Sequence, residues 1–382
     1  MNNKIMKLIV FTGNLLCVYR SYCSISFVRR CVVWVRILIE LTVILAYIST
    51  LIVYLEENIS RLIYIFLTLI SSFCIVLLAC YHCKDFKNLT KLIEENHAYF
   101  IKDKKYCENL NKKYKFVVIA MTAYTFLSLS LCINFHIIMY HSSIKGSKYM
   151  IYSIYTFICN IRYMFEYITL YSILFILSEQ LNCITRSICK NRLAIMIETK
   201  QISILNYKST GGKTRRDSIQ EIITFEDWTS FYTNMKDCSN IFNTIFGVEI
   251  TIVLATLIFY LIIFLYAIVY ISINGSITLF NMYSLIIETL VLLIALSMLS
   301  WSAQTIQNSV DYLKRCLGRL LINSTEDLVS YKETKDLLRL ISSRPIRTQA
   351  FGSIYIDMSL LPKFVMFFTS YTVIALQFNN VV

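Results

Sequence analysis

The residues of this chain that could do chemistry are charges and amides set inside apolar runs. Arg162 and Glu166 stand four apart near the middle of one run, so on a helix they share a face and can pair. Arg36 and Glu40 repeat that spacing near the start of another, and Glu288 stands alone in a third. An ionised group in hydrocarbon is costly, so it pairs, faces water or gives up its charge. For Arg162 and Glu166 a self-neutralised structural pair weighs slightly more than a working site. Glu288 either meets a polar or cationic ligand, is protonated, or bonds across helices. The last run is the most polar. It has Asp357 and Lys363 near its start and Ser370, Tyr371, Thr372 and Gln377 near its end. A helix that merely anchored the chain in lipid has little use for such groups, because each must find a partner there. Two readings follow: a polar helix buried in a bundle, or a helix that faces water and lines a pore.

No catalytic cluster accompanies these residues, so a non-enzyme without cofactor is expected. Cys80, His82 and Cys83 lie close together, but they match no zinc spacing, and no CxxC pair occurs. The 13 cysteines read as reduced, packed thiols, and no metal site is expected. Gly211-Gly212-Lys213-Thr214 resembles a phosphate loop but lacks its first glycine and a preceding strand; it reads as part of a polar linker.

The elements that must position these groups are long helices. Of 382 residues 57% are apolar and 16% charged, with a mean hydropathy of +0.59. Soluble domains carry ~25% charge, so no single soluble core can hide this apolar surface. Two prolines and eight glycines argue against a β-barrel. The expected class is therefore all-α, a polytopic membrane protein. Seven runs are long enough to span: 32–54, 62–82, 116–140, 149–177, 248–272, 277–301 and 354–378. A shorter run, 8–19, follows Lys4 and Lys7 and is broken at Thr12-Gly13-Asn14; it reads as a helix lying at the inner membrane face.

Lys and Arg fall on alternate sides of these runs. The N-terminal segment and the second, fourth and sixth loops hold 5, 9, 9 and 8 of the 37, while the other loops and the tail hold 1, 2, 0 and 0. The excess marks the cytosolic side, so the N-terminus is expected inside and the C-terminus outside. The net charge of +13 is explained by this asymmetry, and no nucleic-acid partner is implied. The outer loops are tiny, so a ligand must bind among the helices. Asn134, His136, Tyr152, Tyr155, Tyr260, Tyr266 and Tyr283, with Glu288, could line a polar-aromatic pocket for a small molecule. Each tyrosine taken singly is more often a membrane-interface anchor. Below the membrane, 303–322 and 326–341 keep helical apolar periodicity and could bundle. The chain divides into a six-helix membrane domain (1–301), cytosolic anchor helices (302–353), and a last helix with its tail (354–382).

The ending gives these groups a family context. Tyr371, five residues, then Gln377-Phe378 resembles the signature that closes insect gustatory receptors. Upstream, Arg344-Pro345-Ile346-Arg347, Ala350, Gly352, Asp357 and Leu360-Leu361 resemble that family's approach to its last helix. Ser370 stands where Thr is usual, and Thr372 stands where sugar receptors carry Glu, which disfavours a sugar ligand. The resemblance implies a tastant-gated, non-selective cation channel in the plasma membrane, a homo- or heterotetramer with the last helix lining the pore. Tyr371, Val373, Leu376, Gln377 and Phe378 are then the pore and gate candidates. Four copies of Gln377 can replace part of an ion's hydration, and Val373, Leu376 or Phe378 can form an apolar constriction. On the residues alone, Gln377 bonded to a neighbouring helix weighs the same; the signature tips the balance. Lys363 either snorkels or pairs with Asp357. The rivals are an odorant-receptor subunit, a G-protein-coupled receptor and a transporter. The last two lack their motifs and their repeated, broken helices here.

Overall fold

The computed structural model describes residues 4–16, 18, 20, 27–53, 59–101, 103–141, 147–205, 225–274, 279–323, 328–352 and 354–378. Within these, the chain forms α1 (Lys4–Leu15), α2 (Phe27–Val53), α3 (Ile59–Tyr81), α4 (Cys83–Phe100), α5 (Lys104–His141), α6 (Ser147–Leu205), α7 (Phe225–Asn274), α8 (Leu279–Asn323), α9 (Leu328–Ser343) and α10 (Leu360–Phe378). A small antiparallel hairpin, β1 (Gln349–Ala350) and β2 (Ile354–Tyr355), precedes α10 with Gln349 opposite Tyr355 and Ala350 opposite Ile354. The fold is all-α apart from this hairpin. Each apolar run read from the sequence falls largely on a helix, with one correction. The last helix starts at Leu360 rather than 354, because Ile354 and Tyr355 are spent on the hairpin.

Among the described residues, two helices each contain a stretch long and apolar enough to cross a membrane, α6 within Phe157–Cys189 and α7 within Asp227–Phe259. The apolar part of α3, Phe66–Tyr81, turns by 68° at His82 into Cys83–Phe100. That bend falls where the apolar run gives way to Lys84, Asp85 and Lys87. At 59, 50 and 45 residues, α6, α7 and α8 far exceed the ~20 needed to cross hydrocarbon, so they continue as a bundle beyond it.

The core is built on α6 and α8. Leu296, Leu299, Ala303, Ile306, Val310, Leu313 and Leu317 of α8 are buried at alternating spacings of three and four. Leu170, Leu174, Leu177, Leu181, Ile184 and Ile188 do the same on α6. That spacing is the seam of two helices crossing at a shallow angle. Leu337 and Ile341 of α9 join the same core. In hydrocarbon such a seam is held by close packing, whereas in water it is also driven by apolar burial.

Helix α1 departs from the interfacial reading: Ile5, Met6 and Ile9 are buried in the main core, so it packs into the bundle. Gly13 lets this happen. A Cβ there would stand 3.1 Å from the Val18 carbonyl oxygen and 3.5 Å from the Phe165 ring. The cysteines also need a correction, since Cys83 is disulfide-bonded. Cys31, Cys74, Cys80, Cys107, Cys159, Cys183, Cys189, Cys238 and Cys316 are free thiols, as expected.

Candidate functional site

Four helices and the N-terminal segment converge on a buried charged centre. The sequence pairs Arg162 with Glu166; the structure gives each a partner on a different segment. The Arg162 guanidinium forks onto Glu40 of α2, with Nη2 to Oε1 at 2.8 Å and Nη1 to Oε2 at 3.2 Å. It also donates to Ser72 Oγ of α3 at 2.8 Å and to the Leu16 carbonyl at 2.9 Å. Two parallel N–H···O bonds of this kind are the strong geometry for an arginine and a carboxylate. Glu166, one turn along, accepts from Arg20, which also donates to Glu249 Oε2 of α7 at 2.7 Å. Arg20 lies between the rings of Phe86 and Phe246, at 5.5 and 4.5 Å. All five charged side chains are under 10% exposed.

This arrangement corrects the helix-internal pair for a geometric reason. At i, i+4 two long side chains meet only if both lie along the helix, whereas partners on facing helices are reached by extending straight out. Burial alone pushes the Arg20 guanidinium down, and the carboxylates of Glu166 and Glu249 more than reverse this, holding it above its ordinary value. Glu249 was missed in the sequence. A carboxylate one residue into the run 248–272 was the available signal, and nothing local pointed it at Arg20, 229 positions earlier. The site contains no nucleophile poised on a base, and no metal-type cluster occurs among the described residues. Its chemistry is cohesion: it ties the N-terminal segment to α2, α3, α6 and α7.

A second polar region connects the bundle to α10. One face of α7, at Tyr232, Lys236, Ser239, Asn243 and Gly247, satisfies the backbone of the linker after α9. Tyr232 Oη donates to the Arg344 carbonyl at 2.9 Å, and Lys236 Nζ to that of Pro345 at 2.9 Å. Asn243 Nδ2 and Ser239 Oγ both donate to the Arg347 carbonyl, at 2.9 and 3.4 Å. Asn243 Oδ1 takes the Gln349 N–H at 3.1 Å, and the Gly247 carbonyl takes that of Phe351 at 3.3 Å. Spacings of four, three, four and four put these partners in one row along the helix.

Beyond the linker, α10 lies lightly on the bundle. Leu360, Phe364 and the half-buried Leu361 and Phe368 pack against the core. The remaining face is open, including Val365, Met366, Tyr371, Val373, Ile374 and Gln377. Tyr371 is 47% exposed and lies 4.4 Å from the Phe367 ring, centroid to centroid. Leu376 and Phe378 are on the same helix, with side chains outside the described residues. So are the side chains of all eight pocket candidates: Asn134 and His136 on α5, Tyr152 and Tyr155 on α6, Tyr260 and Tyr266 on α7, and Tyr283 and Glu288 on α8.

A family model described as 7tm Chemosensory receptor matches residues 7–380. The chain belongs to that family. No curated protein sequence matches this chemoreceptor. Among solved structures it is similar to the insect olfactory receptor OR5 from Machilis hrabei, over 98% of this chain and 99% of that one, with a TM-score of 0.66 at 10% identity. The structure of OR5 in complex with eugenol aligns over 98% of each chain, with a TM-score of 0.62 at 12% identity. At these identities the likeness is one of fold. The chain is a helical, multi-pass membrane chemoreceptor.

Proposed function

We propose that this chemoreceptor is a gustatory-type subunit, forming a tetrameric, tastant-gated, non-selective cation channel in the plasma membrane. The observation that carries the reading is α10. It bears the ending Tyr371, five residues, Gln377-Phe378, and it leaves most of its surface uncovered in a single chain. A helix with exposed tyrosine, amide and hydroxyl groups is poorly suited to lipid. Copies around a central axis resolve the conflict. The Val373, Leu376 and Gln377 face then turns toward water, and Tyr371, on the opposite side of the helix with the core-packed Phe364 and Phe368, meets neighbouring helices. Gln377 and Phe378 form the outer gate, with Val373 and Leu376 in the apolar constriction.

A small tastant binds among the outer halves of α5 to α8, where Asn134, His136, Tyr152, Tyr155, Tyr260, Tyr266, Tyr283 and Glu288 stand. Thr372 weighs against a sugar. OR5, which has a similar fold, forms a complex with eugenol, and that supports a small apolar-aromatic ligand class here. Binding opens the pore to the extent that the ligand prefers the open state. Helix α9 and the inner end of α8 serve as the anchor region. The odorant-receptor reading is favoured by the OR5 likeness, and the Gln377-Phe378 ending weighs against it.

Recording from cells expressing the chain, alone and with candidate partner subunits, tests this. A tastant panel is expected to evoke a cation current in the wild type. Gln377→Arg is expected to abolish that current with surface expression unchanged, because a ring of four cations repels cations at the gate. Undiminished current through surface-expressed Gln377→Arg would remove α10 from the pore.

A further inference from the structure

The row of α7 side chains that holds the linker also walls a cleft of about 300 Å³, lined by Lys236, Asn240, Asn243, Arg344, Arg347 and Tyr355 among others. It carries three cations and, among the described residues, no carboxylate. A second cleft of about 290 Å³ adjoins it, shares Lys236, Asn240 and Arg344, and adds Asp237. Arg347 lies over the Tyr355 ring at 5.1 Å, which fixes its fork at the rim. Lys236 spends one hydrogen on the Pro345 carbonyl and keeps two donors. Asn240 and Asn243 add amide hydrogen-bonding groups to the wall. A guanidinium held at the rim, with a second guanidinium, an ammonium and amides beside it, is a donor set that recognises phosphate.

Position narrows the source of that phosphate. The Phe351 N–H binds the Gly247 carbonyl, and the apolar run of α7 begins at the next residue, 248. The hairpin therefore stands at the edge of the hydrocarbon. Asn243 and Asn240 lie four and seven residues further out on α7, about 6 and 10 Å at 1.5 Å per residue. Asn243 thus stands within the headgroup layer, which adds roughly 5–8 Å to each side of the hydrocarbon, while Asn240 and Lys236, about 10 and 16 Å out, stand at its outer edge and beyond it, where a headgroup that projects past the bilayer phosphates is met. Beside the cleft, the hairpin tip exposes Phe351, at 70%, with Ile354, Tyr355 and Met358. Phe351 and Gly352 have positive φ, 47° and 73°, a turn that holds the Phe351 ring out. An apolar tip next to a basic cleft is the arrangement that engages acyl chains and headgroup together.

We propose that this cleft binds the phosphorylated headgroup of an anionic inner-leaflet lipid, so that the membrane holds the linker from which α10 grows. The inward-facing placement rests on the topology in the functional reading above. The phosphate chemistry rests on the cleft itself.

The test uses the full-length protein in phosphatidylcholine nanodiscs, with a fluorescent phosphatidylinositol bisphosphate as probe. Saturable binding above the phosphatidylcholine background is expected. Arg344→Gln and Arg347→Gln should each weaken it about fivefold, the effect of one basic charge at an anionic surface, with the elution profile unchanged. The paired variant should lose more. Equal binding by a well-folded paired variant overturns the proposal. So does a change in subunit assembly with lipid binding intact, which would make the cleft a contact between chains. Inositol trisphosphate binding as tightly as the lipid would overturn the lipid source in favour of a soluble phosphate. In sealed vesicles, binding on the face that bears the N-terminus supports the placement, and binding confined to the other face overturns it. Intact lipid binding without any tastant current would count against the channel reading alone.

Discussion

Arg162 shows what a buried charge requires of its neighbours. Its guanidinium is matched by Glu40, Ser72 and a backbone carbonyl from three separate segments. Removing one partner of such a pair leaves the other buried without compensation, at a cost of about 3–5 kcal/mol. Arg162→Met is therefore expected to lower the melting temperature and the yield of monodisperse protein. Adding Glu40→Leu should recover much of the loss, since an apolar pair of similar volume is often neutral there. If the double variant is as unstable as the single one, the pair is not what Arg162 contributes. His97 makes the second residue-scale prediction. Burial among the α4 and α5 side chains holds its pKa below 6.5, with Glu94 pulling weakly the other way, and its Nδ1 lies 3.0 Å from Tyr106 Oη. The folded state thus takes up a proton less readily than the unfolded chain. Below about pH 6.5 the unfolded chain gains a proton that the native state refuses, so stability falls with acidification down to the folded pKa. Thermal scans across that window should show this slope, and His97→Gln should flatten it.

At the scale of elements, the linker between α9 and α10 concentrates the constraints. Gly352 has φ +73° with nothing within 4 Å of a built Cβ, so backbone strain alone opposes a side chain there. Gly352→Val should cost roughly 1–2 kcal/mol and Gly352→Asn clearly less, since asparagine tolerates the left-handed region. A denaturation series that ranks the two the other way would point to a steric cause instead. The linker also shows how far the sequence could be read. Helix positions followed from apolar runs, because hydrocarbon admits little else. The start of α10 did not, because Ile354 and Tyr355 are apolar enough to extend the run and become strand only through pairing with Gln349 and Ala350. The α7 row was likewise hidden. Tyr232, Lys236, Ser239 and Asn243 look like an ordinary polar helix face until the linker is laid against them. Arg162 and Glu166 were visible as charges in an apolar run; their partners were 122 and 146 positions away, beyond any local pattern.

The whole molecule is laid out by charge asymmetry, and that makes the topology testable without a ligand. A C-terminal tag is expected to stain on intact cells, and an N-terminal tag only after permeabilisation. The reverse result would invert α10 and with it the gate proposed at Gln377. Subunit counting by single-molecule bleaching should give four, with a detergent-solubilised monomer prone to aggregate through the open face of α10.

The position of Arg20 also sets a timetable for the newborn chain. Its two acidic partners are 146 and 229 residues downstream, so the arginine is made long before anything exists to neutralise it. At ~5–20 residues per second, Glu249 arrives roughly 10–50 s later. During that interval Arg20 must stay in water or among headgroups, and α1 must wait with it. The first-made segment can therefore take its final place only after α7 has been made.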